Sequence, residues 1–419
     1  MTEPLISDGH LNSRERRKLV AVIAGACAFG YAAALALMLM QGNWVIDAQG
    51  RPLVVDFVSF WAAGHLALNH AAVFAYDPHL QHIAEAAAVG HRFEGALPWP
   101  YPPAFLFVAA VLALLPYGAS FLAWCAATLA GYATLVAAIA RCRTALVLAC
   151  AAPWVLANAI PGQNGFLTAI LIGLALMSLE RRPALAGLLF GLLSYKPQFG
   201  ILVPLALAAG GHWRAFFWAA TGALATNLAA GAVFGFATFD GLVHALMHNA
   251  KNYLVNDAFG ESGWRKIDSF YGLARATGFP ASVAADLQGI VTVLTALAVT
   301  LCWRARLPFA LKAAVLAAAV PLATPYVFVY DLPMLGIAAA FVFRHGAFDK
   351  TDSALLATTV PSIFAPVWFA LPTPLFASLA VAALAARRCI AALADSPHMQ
   401  SALGDNTRGR LAEGASRSA

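Results

Sequence analysis

The chain has 419 residues, of which 61% are hydrophobic and only 11% charged. Soluble domains carry roughly 25% charged residues, so most of this surface faces something other than water, which excludes a soluble enzyme or binding module and defines an integral membrane protein. The net charge of +6 carries no nucleic-acid signal, because the basic residues fall in short clusters between apolar runs, where they act as topology signals.

Residues 19–40 follow Arg14-Glu15-Arg16-Arg17-Lys18. The run is longer than the ~7–15 apolar residues of a signal peptide, so it reads as a retained first helix with its N-terminus inside. The segment 41–103 then forms a first outer loop with two interfacial helices, near 57–70 and 79–90. The run 104–116 ends at Pro116-Tyr117-Gly118 and reads as a half-helix or hairpin dipping in from outside. Further spans are expected at 120–140, 144–160, 165–179, 184–195, 199–211, 215–236, 283–303, 308–324, 332–344, 353–371 and 373–388. This path places Arg141 and Arg143, Arg181 and Arg182, Arg214, Arg304 and Arg306, Arg344, and Arg387 and Arg388 all inside. The expected fold is an all-α polytopic bundle of about twelve transmembrane helices. It occupies 1–394 as one domain, with a second large outer loop at 237–282 and a disordered cytoplasmic tail at 395–419. Spans 184–195 and 199–211 are too short for a straight crossing of ~20 residues and flank Lys196-Pro197, so they read as broken helices lining a cavity or as a re-entrant hairpin.

The six cysteines lie in or beside apolar runs and show neither a disulfide framework nor zinc spacing. His244 and His248 share a helical face in the second outer loop but lack a convincingly spaced third ligand. No phosphate-binding glycine loop, GxSxG or zinc-protease motif is present. Chemistry must then come from polar residues at helix ends. Asp56 precedes Phe57, Phe60 and Trp61. It reads as the N-cap of the helix starting at Phe57, as a general base whose pKa partial desolvation raises, or as both. Trp99-Pro100-Tyr101-Pro102-Pro103 is stiff, and forms either an interfacial aromatic belt or a rigid wall beside a sugar ring or isoprenoid chain. Gly162-Gln163-Asn164-Gly165 allows a tight turn, and its amides also suit hydroxyl recognition.

Lys196 lies between apolar segments, where a lysine costs at least about 2.5 kcal/mol unless compensated. It reads as a phosphate ligand, a snorkelling side chain or half of an ion pair. Asp331, after Thr324-Pro325-Tyr326, could balance Lys196, orient a hydroxyl or cap the helix starting at Leu332. Arg265 and Lys266, in the second outer loop, are further candidate cations.

In series these residues resemble the family 87 glycosyltransferases, membrane enzymes of the GT-C superfamily. The resemblance rests on Asp56-Phe57 with Phe60-Trp61-Ala62-Ala63-Gly64, Tyr76-Asp77-Pro78, Tyr101-Pro102-Pro103, Gly162-Gln163-Asn164, Ala186-Gly187 with Gly191, Lys196-Pro197-Gln198, and Pro325 to Asp331. It implies a GT-C-like bundle with a polyprenyl-phosphate sugar as donor. It also implies a lipid or glycan acceptor, inversion without a metal or other cofactor, and Asp56 as base at the outer face of a bacterial inner membrane. Lys196, Arg265 and Lys266 would then bind the donor phosphate. Tyr101, Gln163, Asn164, Gln198, Tyr326 and Asp331 would bind the sugar or acceptor. Many relatives carry histidine where Tyr326 stands, and tyrosine is a poor base near neutral pH. The competing reading is a secondary transporter or lipid flippase, which favours charges near the bilayer midplane and related halves.

Overall fold

A computed structural model describes residues 13–95, 97–249 and 263–395. Lys251 and the tail from 396 onward lie outside the described residues. Apart from a small hairpin, Asn43–Trp44 paired with Ile46–Asp47, the described elements are α-helices and short 3-10 turns. Proline opens many of them, at Pro78, Pro183, Pro197, Pro333 and Pro374. At that position its missing N–H leaves no helical hydrogen bond unmade.

Five of the described helices are long and apolar enough to cross a membrane: Lys18–Met40, Tyr117–Ala140, Trp213–Phe234, Ala281–Arg304 and Pro374–Ala394. Several present large apolar side chains outward, such as Phe29 on the first, Phe217 and Leu224 on the third, and Ile290, Val293 and Leu297 on the fourth. Such faces belong against lipid. The bundle interior is built by Phe309–Ala319 and Pro333–His345, whose residues Ala313 to Ala318 and Met334 to Ala338 are almost entirely buried.

Twelve uninterrupted crossings are not seen among the described residues. Expected span 144–160 is two short helices, Thr144–Cys150 and Trp154–Ala159, interrupted around Pro153. Span 353–371 divides into Lys350–Ala357, Thr359–Phe364 and a 3-10 turn. Spans 184–195 and 199–211 are broken as anticipated. The helix Pro183–Leu192 tightens into a 3-10 turn at Leu193–Tyr195, Lys196 leaves helical geometry (φ −134°, ψ 72°), and the chain resumes as Pro197–Gly200 and Val203–Ala209. The run 104–116 contains only Pro103–Phe105 and Leu106–Leu112, a half-helix by length. Helices Phe57–Leu68 and Pro78–Val89 occur where two were expected. The first packs against both the second and Leu106–Leu112, and Phe57, Val58 and Phe60 are wholly buried.

Candidate active site

Asp56 sits one residue before the helix Phe57–Leu68, but it does not cap that helix. Its backbone is already helical (φ −52°, ψ −28°) and its side chain makes no capping bond. The carboxylate Oδ2 instead accepts from Gln163 Nε2 at 2.9 Å, and Oδ1 accepts no hydrogen bond among the described residues. Burial raises the Asp56 pKa above the ordinary carboxylate value, opposed by the Gln163 hydrogen bond and by the charge of exposed Lys266. A partly desolvated carboxylate with an oxygen to spare has what a general base requires.

The turn that delivers Gln163 is clamped from several sides. Trp44 Nε1 donates to Ile160 O at 3.2 Å, Trp124 Nε1 to Gly162 O at 3.0 Å, and the Phe57 N–H to Pro161 O at 3.0 Å. Gly162 takes φ +69°, and a Cβ on Gly165 would lie 1.8 Å from Tyr330 O, so the turn needs glycine at both positions. Asn158 Nδ2 donates to the same carbonyl at 2.8 Å. These contacts press the Asp56 loop and the Tyr330 segment onto one turn, although they are far apart in sequence. The Asn164 side chain is fully enclosed, and the Tyr101 hydroxyl faces it and Gln163 Oε1, at 3.5 Å from the latter. Tyr101 and Trp99 are buried among Phe60 and Phe105 rather than lying in an exposed aromatic belt.

Lys196, at the helix break, is 5% exposed and therefore does not snorkel to a surface. Its Nζ donates to Asp331 Oδ1 at 2.6 Å and lies over the rings of Phe199, Tyr330 and Tyr101 at 5.2, 5.7 and 6.0 Å. Asp331 does not cap the following helix either. That helix begins at Pro333, and Asp331 Oδ2 accepts from the Phe328 N–H at 3.2 Å. Burial raises the Asp331 pKa, opposed by the Lys196 charge. Lys196 and Asp331 are thus brought together as a buried ion pair, which still leaves the ammonium two further N–H donors.

Arg265 and Lys266 lie in the turn after Gly263, beside Ile267-Asp268. Gln198 is half-buried on Pro197–Gly200 and makes no side-chain hydrogen bond among the described residues. Tyr326 is 37% exposed, and burial followed by the neighbouring Tyr271 pushes its phenol up to about 12, so it stays protonated near neutral pH.

Asp268 is the group that sequence reading missed. It is 1% exposed, and neither carboxylate oxygen has a hydrogen-bond partner among the described residues. Its backbone N–H donates to Val327 O at 2.7 Å. Burial, then the Asp331 charge, holds its pKa well above the ordinary value. Its sequence context, Asp268-Ser269 before a helix, reads as a cap. Ser269 takes that role by accepting from Gly272 N at 3.1 Å, so the only signal was an acid one residue too early.

An all-helical membrane protein with a desolvated carboxylate, paired amides and a buried lysine at one end of the bundle has the parts of a group-transfer enzyme. The model of glycosyltransferase family 87 matches residues 99–325, more than half of the chain, and the chain belongs to that family. It is a membrane glycosyltransferase. The matched stretch includes Tyr101, Gln163, Asn164, Lys196 and Gln198, whereas Asp56 and Asp331 lie outside it. No curated protein and no solved structure matches the chain.

Proposed function

We propose that this enzyme moves a sugar, a hexose or pentose of mannose-like kind, from a polyprenyl-phosphate donor to a lipid or glycan acceptor. In this reading the site faces outward from a bacterial inner membrane, as the placement of the arginine clusters favours. The observation that carries the reading is Asp56, desolvated, held through one oxygen by Gln163 and with the other oxygen available. Asp56 takes the proton of the acceptor hydroxyl as that oxygen attacks the anomeric carbon. The bond from that carbon to the phosphate oxygen breaks on the opposite face, which inverts the configuration, and the polyprenyl phosphate departs.

Lys196, with N–H donors beyond the one given to Asp331, is the cation closest in character to a buried phosphate ligand, with Arg265 and Lys266 at the rim. A cavity of about 300 Å³ beside the Lys196-Pro197 break is lined by Phe190, Leu193, Pro197, Ile201 and Phe216. Its apolar walls suit an isoprenoid chain, and exposed Ile201 and Leu205 put it within reach of lipid. Asn164, Gln198, Tyr101 and Tyr326 supply neutral hydrogen-bonding groups for a sugar. A transporter or flippase is disfavoured because Lys196, Asp268 and Asp331, the buried ionisable groups nearest Asp56, sit at a helix break and in loops and not within a long membrane-spanning helix.

The test is transfer by purified protein in nanodiscs, with synthetic polyprenyl-phosphate mannose, glucose and arabinose offered against a membrane lipid and glycan extract. Mass spectrometry should find one sugar added to an extract component, with inverted configuration. Transfer from nucleotide sugars alone would overturn the donor assignment.

A further inference from the structure

A further carboxyl lies buried in the first outer loop, behind the turn that carries Asp56. Glu85, on Pro78–Val89, is wholly enclosed, and neither of its oxygens has a hydrogen-bond partner among the described residues. Gln81 stands one helical turn before it, 2% exposed, and its Oε1 also lacks a partner there. Gln81 Nε2 is already committed, donating to Ser59 O at 3.0 Å. Ser59 in turn donates to Asp56 O, from Oγ at 3.0 Å and from its N–H at 3.2 Å. The Asp56 turn is thus held from behind by Gln81 and in front by the Phe57 N–H on Pro161 O.

The Glu85–Gln81 contact lacks one proton. An ionised carboxylate and an amide oxygen are both acceptors, and leaving them buried together without a donor is costly. A protonated Glu85 supplies that donor to Gln81 Oε1 and leaves Nε2 on Ser59. An ionised Glu85 has the opposite demand, because it draws the amide N–H toward itself. The amide can turn to it only by releasing Ser59 O. Burial pushes the Glu85 carboxyl up to about 7, opposed by the Leu97 N–H and the Gln81 amide, so both states lie within ordinary pH.

Few other charges bear on Glu85. On its own helix, His82 Nδ1 lies 3.5 Å from Oε2, with its ring edge-on to Phe93. Of the elements packed against that helix, Phe57–Leu68 carries His65, stacked on Trp61, and Ala72–Tyr76 carries the Tyr76 phenol, which donates to Tyr101 O. Tyr117 lies within electrostatic reach, and Arg92 and Glu94 on the loop beyond the helix are exposed.

We propose that Glu85 is a positioning residue for transfer: its proton, given to Gln81 Oε1, keeps Gln81 on Ser59 and the Asp56 turn in place, and losing that proton slows transfer in alkaline medium. The proposal rests on Asp56 as the base.

The test follows transfer by protein in nanodiscs from polyprenyl-phosphate mannose, glucose and arabinose, between about pH 5 and about pH 9. The parent should show an alkaline limb near pH 7 in kcat, with donor KM unchanged because Lys196 stands outside this chain of bonds. Glu85→Gln keeps a donor for Gln81 at every pH. Its kcat should stay near the parent's acid-side value, and the limb should vanish. Glu85→Leu offers no donor and should lower the acid-side kcat by about fivefold, again without a limb. His82→Phe should leave the limb in place. Infrared titration reads the proton whichever group proves to be the base. The carbonyl stretch of a protonated carboxyl, missing from Glu85→Gln, should fade as pH passes about 7. The proposal is overturned if the parent has no alkaline limb, if the limb survives in Glu85→Gln, if it disappears in His82→Phe, or if Glu85→Gln removes no protonated-carboxyl band. Normal turnover by Asp56→Asn would count against Asp56 as base and leave the Glu85 proton established by its band.

Discussion

Two carboxylate clusters in this protein use the same residue types to opposite ends. Asp349 and Asp352 bond each other's backbone N–H groups, at 2.9 and 3.0 Å, in a reciprocal helix cap. Arg387 bridges both acids at 2.6 Å, and Arg388 also bonds Asp352. The cap and then Arg387 hold the Asp349 carboxyl below its ordinary pKa. At the other cluster, Asp56, Asp268 and Asp331 all lie within electrostatic reach of buried Tyr330. Buried Lys196 answers Asp331, and exposed Lys266 answers Asp56. All three acids have raised pKa values. In the Asp349–Asp352 cluster the carboxylate oxygens are supplied with donors. Around Asp56, oxygens are left over at a desolvation cost, a pattern that suits a site waiting for substrate.

The comparison breaks first at Asp56. Asp56→Asn keeps the size and an acceptor for Gln163 but cannot take a proton. It is expected to leave a folded, inserted protein that binds polyprenyl-phosphate sugar yet transfers it at least about a hundredfold more slowly. Asp56→Glu should recover only part of that, because its longer side chain misplaces the base by roughly 1 Å. Transfer kinetics with donor binding measured alongside decide the matter. Normal turnover by the Asn variant would move the base elsewhere, first to Asp331.

The second test separates a structural pair from a donor ligand. Lys196→Ala leaves Asp331 buried and uncompensated, which typically costs about 3–5 kcal/mol, so both thermal stability and donor use should fall. Lys196→Met combined with Asp331→Leu removes both charges and should recover most of the lost stability. If Lys196 touches the donor phosphate, the double variant regains its Tm but not its donor affinity. Recovery of both would confine Lys196 to the fold.

The parts of this site that could be read from sequence were those with a local cause. Pro197 has no N–H, so the break that positions Lys196 was visible. Asp56 stood out as a lone acid against an aromatic cluster, and two glycines marked the turn carrying Gln163 and Asn164. Pairing could be raised but not decided: an ion pair between Lys196 and Asp331 was one reading among several. Lys196 meets Asp331 across 135 positions, and Asp268 becomes buried only because its strap lies along Val327. Glu85, among alanines on Pro78–Val89, carried no signal in the sequence and is wholly buried beside Gln81 and His82, and burial pushes it up to about 7. Hydropathy also did not tell continuous helices from broken ones, because a window average does not register the interruption between Thr144–Cys150 and Trp154–Ala159.

A third test uses pH. A base works only when ionised, so the raised Asp56 pKa should set the acid limb of kcat/KM above the ordinary carboxylate value of ~3.9. Gln163→Leu removes the hydrogen bond that favours the charged form. The limb should therefore move to still higher pH, and transfer at neutral pH should drop by about tenfold. Lys266→Gln should shift the limb the same way by less, since that charge acts from an exposed position. A limb that stays in place in both variants would mean another group sets it.

The smallest expected effect is at Asp268, and it appears in stability rather than rate. Its folded-state pKa is held well above the unfolded value, so the native state binds a proton more tightly than the unfolded chain. The stabilisation from that proton is fully present below the unfolded pKa and is lost as pH rises toward the folded one. Asp268→Asn removes the titration and keeps the shape. The variant should match the parent at pH 5 more closely than at pH 8, where its Tm should be higher by on the order of 2 °C. Transfer should stay within about threefold, because no step assigned to Asp56 or Lys196 passes through this carboxyl. A Tm difference independent of pH would show that Asp268 binds no more protons in the folded protein than in the unfolded chain over that range, and so is ionised in both. A large loss of transfer would instead place Asp268 against the substrate, as a second carboxylate that the substrate, rather than the fold, supplies with a donor.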